Sequence, residues 1–522
     1  MAKVGSTDIL AAVLDACEKY GNASALTFGK NTLTYRELRE KVLRTASSLK
    51  VLGMVPGDHV LFSVRPGLDA TCLALGIIAA GGAIVADPGA GEGMLRERAE
   101  LTAARWVAAE SLLYFASSGP LRGIARRRGI ELPPYRTVVP DAHHIVSGPW
   151  LPGVPWGAVA VHTLSAPGGT EPVVDLGNPA AEALILFTNG TSADPKAVVH
   201  SRLSLGAGIA DFAKRTQLRV GDRVLTDQLA VGISALVAGA HWMLPRTGAS
   251  PGATPGSFFD LLPHAEVIFA VPAALDSLLT LLETEPDSAS NLRTVLIGGA
   301  PVLRPLLTRV RAQLPDVSIK AIYGMTELLP VAIADGDEKL AFEGQGDYVG
   351  ELVSTVKARI SAEGELVVSG PGLMLGYLGK PPLKSLPTGD RARIEDGRLI
   401  LSGRCKDTFD RGGTTIYPGL YEPVIAGLPG VREVAMIGVP DSSGDDRIVL
   451  VIVPTDPPHG LAHEHPVLTT VERALPGLID AGVLPDVLLA APELPHVGRG
   501  RRLDRGALVA RVAAYLGDAR SV

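Results

Sequence analysis

Short apolar runs alternate with helix-periodic segments over most of this chain, and few folds accept that alternation. Residues 60–64 read as a strand, and residues 68–80 read as the helix that follows it. Runs at 184–188, 267–271 and 294–297 repeat the theme to about residue 330. Strands joined through helices pack as a largely parallel sheet with helices on its faces. Upstream, residues 31–35 alternate like a strand, and Tyr35-Arg36-Glu37-Leu38 opens an amphipathic helix reaching about Leu52. The first 60 residues thus read as helix, hairpin, helix. The Pro- and Gly-rich stretch 145–179 has no periodicity and reads as loop. After 347 the pattern turns to hairpins, at 356–360, 364–368 and 399–402. A second unit follows, with strands 434–439 and 448–454 and a helix near 468–475. The expected organisation is α/β: an N-terminal domain 1–404 of parallel-type sheets and helices with a β-rich subdomain, then a small α+β C-terminal domain 405–522.

Composition removes other classes. The 522 residues hold 49 Lys+Arg against 55 Asp+Glu, a net charge of −6, which argues against a nucleic-acid partner. Three cysteines, Cys17, Cys72 and Cys405, are too few for a disulfide scaffold or a cysteine-rich metal site. The longest uncharged apolar runs, 71–86 and 229–244, fall short of the roughly 20 residues that span a bilayer. They read as buried helix and strand, so no transmembrane segment is expected. The N-terminus lacks an uninterrupted apolar stretch of the signal-peptide kind. The expectation is a cytoplasmic protein.

One loop carries the clearest chemistry. Phe187-Thr188-Asn189-Gly190-Thr191-Ser192-Ala193-Asp194-Pro195-Lys196 follows an apolar strand, is rich in small hydroxylated residues and ends in a lysine. Backbone amides, hydroxyls and one cation can wrap a polyphosphate. The Gly-Lys-[Ser/Thr] ending of a Walker A loop is missing. Four more motifs follow in order: Gly298-Gly299-Ala300-Pro301 after the strand at 294–297, Tyr323-Gly324-Met325-Thr326-Glu327, Thr388-Gly389-Asp390, and Gly403-Arg404-Cys405-Lys406-Asp407. Gly412-Gly413 and Ile416-Tyr417-Pro418 come next.

This ordered set resembles the adenylate-forming (ANL) superfamily of acyl-CoA synthetases and other AMP-dependent ligases, from Leu33-Thr34-Tyr35 to about Leu508. The resemblance implies ATP and Mg²⁺, with CoA as second substrate. Thr188, Asn189, Gly190, Thr191, Ser192 and Lys196 would hold the ATP phosphates. Gly298, Gly299 and Ala300 would line one face of the adenine, and Tyr323, followed by Gly324, would stack on the other. Thr326 would bind the α-phosphate and Glu327 would ligate Mg²⁺. Asp390 would accept from both ribose hydroxyls, with Arg404 beside the same sugar. Lys406 would be the hinge on which a mobile C-terminal domain swings, and Gly412-Gly413 would enter the site in its second pose. The chemistry agrees: a carboxylate attacking a polyphosphate needs positive charge and in-line positioning. Glu327 has no evident structural partner, because it follows an apolar strand.

The pattern also departs from the family. Ala193 and Ala197 stand where glycines are usual, and alanine loses freedom wherever φ must be positive. Arg501 falls where the family carries the lysine that bridges carboxylate and α-phosphate, and no lysine follows Lys406. Arginine keeps the charge with a bulkier, planar head. Three readings stay open: Arg501 does the lysine's work, the enzyme adenylates slowly or takes a preformed adenylate, or the protein is catalytically silent. The stretch Leu229-Ala230-Val231-Gly232-Ile233-Ser234-Ala235-Leu236 is small and apolar, which fits a greasy tunnel for a fatty or aryl acid. No acidic residue is placed to hold an amino acid's amine. A small-molecule carboxylic acid is therefore the expected substrate, with CoA or a carrier protein as acceptor.

Ala86-Asp87-Pro88-Gly89 and the Arg-rich segment 121–128 also resemble the β-lactone synthetase branch, in which a 3-hydroxy acid closes on its own acyl-AMP. Other signals read as bland. Gly248-Ala249-Ser250-Pro251-Gly252 matches a hydrolase pattern, yet Pro251 has no N–H for an oxyanion hole. His459, His463 and His465 read as a solvated linker, and His143-His144 as loop surface.

Overall fold

The computed structural model describes residues 8–86, 92–118, 135–139, 141–166, 175–188, 196–246, 254–411, 414–440, 446–479, 483–497 and 502–518. Two large sheets carry the N-terminal part. The first has eight strands in the order Gly376–Tyr377, Lys196–Ser201, Glu182–Thr188, Ala83–Ala86, His59–Ser63, Trp106–Glu110, His143–Ser147 and Val159–Ala160. From Glu182–Thr188 to Val159–Ala160 all neighbours run parallel, and the two strands at the other edge are antiparallel.

The second sheet has thirteen strands. Its parallel strip runs Ser24–Phe28, His241–Leu244, Arg223–Leu225, Val267–Ala270, Thr294–Gly298 and Ser318–Met325. Beyond Ser318–Met325 every pairing is antiparallel, so the hairpins at 347–404 extend this sheet rather than form a separate one. No helix among the described residues is long and apolar enough to cross a membrane.

Local chemistry explains the elements. Helix Tyr35–Val51 starts at a capping box: Thr34 Oγ1 accepts from the Glu37 amide at 3.2 Å, and Glu37 Oε2 accepts from the Thr34 amide at 2.8 Å. Such a cap contributes about 1 kcal/mol. The Tyr35 ring is buried, and its hydroxyl donates to Leu236 O and Ala240 O at 3.0 and 2.6 Å. Asp8 caps helix Ile9–Tyr20 through the Leu10 amide and forms a buried ion pair with Arg202 at the start of helix Arg202–Thr216. At Gly208 an added Cβ would lie 2.2 Å from Leu329 O, so only glycine lets this helix sit against strand Leu328–Asp335.

From Phe409 onward the chain builds its own small sheets and clusters. Strand Val431–Pro440 pairs antiparallel with Asp446–Pro454, which runs parallel to Val487–Ala490. Its alternation sends Met436 to a cluster with Ile425 and Val471, and Ala435 and Ile437 to one with Leu508 and Val512. Arg505 ties three segments here: it bonds both Glu422 oxygens at 2.8 and 2.7 Å, and reaches Asp407 at 3.7 Å.

Some readings need correction. The stretch expected as loop between 145 and 179 holds the strands His143–Ser147 and Val159–Ala160 and the short helix Val161–Leu164. Val159–Ala160 is the edge strand and His143–Ser147 its inner neighbour, and their partners, not their own periodicity, hold them extended. His143 and His144 are accordingly not loop surface. His143 stacks on Trp106, and Tyr114 Oη lies 3.0 Å from His144 Nδ1.

Candidate active site

The expected phosphate loop is the connection of a hairpin. Strands Glu182–Thr188 and Lys196–Ser201 pair antiparallel, with Thr188 opposite Lys196. Asn189, Gly190, Thr191 and Ser192, with Ala193, lie outside the described residues. Lys196 Nζ stands 5.1 Å from the centroid of the Tyr377 ring. The Tyr377 hydroxyl donates to Glu327 Oε1 at 3.1 Å. Glu327 therefore has a structural partner, which its position after an apolar strand concealed. Tyr377 is fixed in turn because Gly376–Tyr377 pairs with Lys196–Ser201, placing Tyr377 opposite Val198.

The glycine motif and the Tyr323 motif leave the ends of two neighbouring parallel strands, Thr294–Gly298 and Ser318–Met325. Crevices at such strand ends are where open α/β sheets bind ligands. Gly299 has φ +81°, a left-handed turn suited to glycine, and Ala300 is exposed beside it. Gly298 is buried against Ile322.

The Tyr323 hydroxyl donates to Asp390 Oδ2 at 2.6 Å, and Arg404 Nε stands 2.7 Å from Asp390 Oδ1. The Asp390 amide donates to Thr388 Oγ1 at 3.1 Å, and the Gly389 amide donates to Glu365 Oε1 at 2.8 Å. Asp390 is 6% exposed. Burial pushes its carboxyl above the ordinary carboxylate range, against the pull of Arg404 and the Tyr323 hydrogen bond. Burial and the Asp390 charge push the Tyr323 hydroxyl up as well, so it remains a donor.

A cavity of ≈ 1040 Å³ joins these groups to an apolar arm. Of the expected residues, Lys196, Gly299, Gly324, Thr326, Glu327 and Arg404 line it. Tyr323 and Asp390, linked to the lining through the Arg404 ion pair, are themselves off it, as are Gly298 and Ala300. Four helices wall the arm. Ile9 and Leu10 come from Ile9–Tyr20, Ala74 and Ile78 from Leu68–Ala80, and Leu205 and Ile209 from Arg202–Thr216. Leu229, Ala230 and Ile233 come from Leu229–Val237, as the small apolar run suggested. The carboxylates on the lining, Glu327 and Glu365, belong to the polar end.

Among the polar lining residues to which sequence reading gave no role are His200, Glu365, Tyr377 and Cys405. His200 is 4% exposed. Its Nε2 stands 2.7 Å from Thr326 O and its Nδ1 3.1 Å from Ser204 Oγ. Burial pulls its pKa below the ordinary histidine value. The neutral ring, donating to the carbonyl and accepting from the serine, joins strand Lys196–Ser201 to the turn bearing Thr326 and Glu327. A signal existed: residues 196, 198 and 200 share one strand face, so His200 looks the same way as Lys196. Burial also pushes the Cys405 thiol up.

Lys406 lies in the turn Cys405–Asp407, straight after the strand that ends at Arg404. Arg501, Gly412, Gly413, the Asp87-Pro88-Gly89 motif, the Arg-rich segment 121–128 and the Gly248–Gly252 motif all lie outside the described residues. In the histidine-rich segment, His465 Nε2 contacts Asp456 O at 2.9 Å, and the His463 ring lies tilted against that of Tyr515 with centroids 5.4 Å apart.

Comparison with known proteins shows the family and the fold. A family model described as AMP-binding enzyme matches residues 13–378. The salicyl-AMP ligase / salicyl-S-ArCP synthetase of Mycobacterium tuberculosis (strain ATCC 25618 / H37Rv) is 26% identical over 535 residues, covering 94% of this chain and 87% of that protein. The feruloyl-CoA synthase of Amycolatopsis sp is 27% identical over 463 residues, covering 83% of this chain and 86% of that protein. Among solved structures, ATP-bound MatB from Rhodopseudomonas palustris matches with a TM-score of 0.77 at 20% identity, covering 98% of this chain and 99% of that one.

Proposed function

Because this chain belongs to the AMP-binding enzyme family and is an adenylate-forming ligase, we propose that it converts an apolar carboxylic acid and ATP to acyl-AMP and pyrophosphate, then passes the acyl group to CoA. One observation carries the reading: a single cavity has Lys196, Thr326, Glu327 and Arg404 at one end and a helix-walled apolar arm at the other. A carboxylate head can meet the nucleotide while its hydrocarbon body is buried, and each buried methylene contributes about 0.8 kcal/mol.

In the first step a carboxylate oxygen attacks the α-phosphorus, and the bond from that phosphorus to the bridging oxygen breaks. Lys196 and the hydroxyl-rich loop bind the phosphates, Thr326 meets the α-phosphate, and Asp390 with Arg404 orients the sugar. Glu327 is a hard oxygen donor on the cavity wall, which fits Mg²⁺; that ion keeps several waters and takes one or two carboxylates beside phosphate oxygens. When bound, Mg²⁺ supplies charge neutralisation on the phosphates. In the second step the CoA thiol attacks the acyl carbon and AMP leaves.

Residues 1–404 form the ATP- and acid-binding domain in this reading, and residues 405–522 the mobile domain, turning at Lys406 and bringing Arg501 to the carboxylate. Relatives whose names record salicyl-AMP or feruloyl-CoA chemistry support an aryl acid, and the apolar arm also suits a fatty one. The test is pyrophosphate release with Mg·ATP against fatty, 3-hydroxy-fatty and aryl acids, with and without CoA, with product masses read. A CoA thioester of a plain acid is expected. A 3-hydroxy acid turned over without CoA and with loss of water replaces the thioester reading with β-lactone formation. ATP binding without pyrophosphate release from any acid overturns turnover itself. Arg501→Ala is expected to abolish adenylation while still binding a preformed acyl-AMP.

A further inference from the structure

Two opposite charges stand at the polar end of the cavity, and one aromatic ring touches both. Lys196 Nζ lies over the Tyr377 ring, and the Tyr377 hydroxyl bonds the Glu327 carboxylate. The three residues come from distant segments that the backbone fixes around the ring. Gly376–Tyr377 is strand-paired to the strand that Lys196 opens. The Met374 amide donates to Glu327 O at 2.8 Å, so the segment bearing Tyr377 is also tied to the turn bearing Glu327. A phenol hydroxyl facing a carboxylate oxygen at 3.1 Å donates to it.

A lysine and a glutamate on one cavity wall attract each other, even though Lys196 is exposed and water screens part of the pull. A direct contact would use up both charges before any substrate arrived. The tyrosine gives each a milder partner: a cation–π face for the ammonium and a single hydrogen bond for one carboxylate oxygen.

Building on the adenylating reading of this site, we propose that Tyr377 is a positioning residue that keeps Lys196 and Glu327 apart and aimed, the lysine at nucleotide phosphate and the carboxylate at the divalent cation. The ring acts as a spacer, and its hydroxyl sets the direction of the carboxylate.

The test is calorimetric binding of ATP to the full chain, with excess Mg²⁺ and with EDTA. Tyr377→Phe keeps the ring and drops the hydroxyl. Its affinity for ATP in Mg²⁺ falls on the order of tenfold, while its affinity in EDTA is unchanged. Tyr377→Leu removes the spacer, so Lys196 closes on Glu327 and binding weakens under both conditions. Adding Glu327→Gln to Tyr377→Leu restores binding in EDTA, because a neutral amide does not capture the lysine. A purely structural tyrosine would weaken both conditions alike in Tyr377→Phe, and that result overturns the proposal. Wild-type Mg·ATP affinity in Tyr377→Phe, or no rescue in the double variant, overturns it as well. A wild-type protein that binds no ATP would instead refute the adenylating reading beneath it.

Discussion

Replacing Asp390 by asparagine separates a binding role from a structural one. The carboxylate holds Tyr323 at 2.6 Å and Arg404 at 2.7 Å and is almost wholly buried. Asparagine has the same shape. Its carbonyl can still accept from Arg404, and its amide can donate to the Tyr323 oxygen once that hydroxyl turns. The desolvation that raises the Asp390 pKa disappears with the charge, offsetting the weaker bonds, so stability changes by less than about 1 kcal/mol. Nucleotide binding behaves differently. Hydrogen bonds from ribose hydroxyls to a carboxylate contribute about 1.5–3 kcal/mol each, and every 1.4 kcal/mol is tenfold in Kd. Losing one such bond raises the Kd for ATP roughly tenfold to hundredfold. Calorimetry with ATP and with 2′,3′-dideoxy-ATP reads this, with thermal unfolding as the control for the fold. The variant should lose most of its preference for ATP over the dideoxy analogue. An unchanged Kd for ATP, or an equal loss for both nucleotides, would refute the sugar contact.

Other consequences are equally specific. Ala74 faces the apolar arm, so Ala74→Phe should shift the preferred acid to shorter chains, each excluded methylene costing about fourfold in kcat/KM; an unchanged chain-length profile would remove Ala74 from the acid site. Gly208→Ala drives a Cβ against Leu329 O and should destabilise by about 1–3 kcal/mol, read as a lower urea midpoint. Burial pulls the His144 pKa from 6.5 down to about 4. The folded value lies below the unfolded one, so this group's stabilisation is present above pH 6.5 and is lost as pH falls towards 4. His200 and His241, also shifted down by burial, act in the same direction. His144→Gln should flatten the decline of Tm with acidification, and an identical decline in both proteins would contradict the assignment.

What could be read from sequence was local or strongly patterned. The helix opened by Tyr35 announces itself through Thr34 and Glu37, and strand Thr294–Gly298 through a buried apolar run. What could not be read depends on partners far along the chain. Residues 143–147 are extended because Trp106–Glu110 lies beside them, and only Ile145 and Val146 mark them as strand. The Glu327–Tyr377 bond spans 50 residues and the His200–Thr326 bond spans 126. No motif spacing encodes either contact. That Gly299, Thr326, Glu327 and Arg404 share one cavity was legible because each stands in a short motif at or just after the end of a strand. The meeting of four helices around one apolar arm was legible only in the helix Leu229–Val237.

Isotope transfer offers the most direct check of acyl-AMP formation. The acid would be labelled with ¹⁸O in its carboxylate and incubated with Mg·ATP and CoA, and the AMP weighed by mass spectrometry. Attack of the carboxylate on the α-phosphorus predicts one ¹⁸O atom in every AMP released. Unlabelled AMP, or AMP formed at the same rate without any acid, would contradict carboxylate activation by this protein.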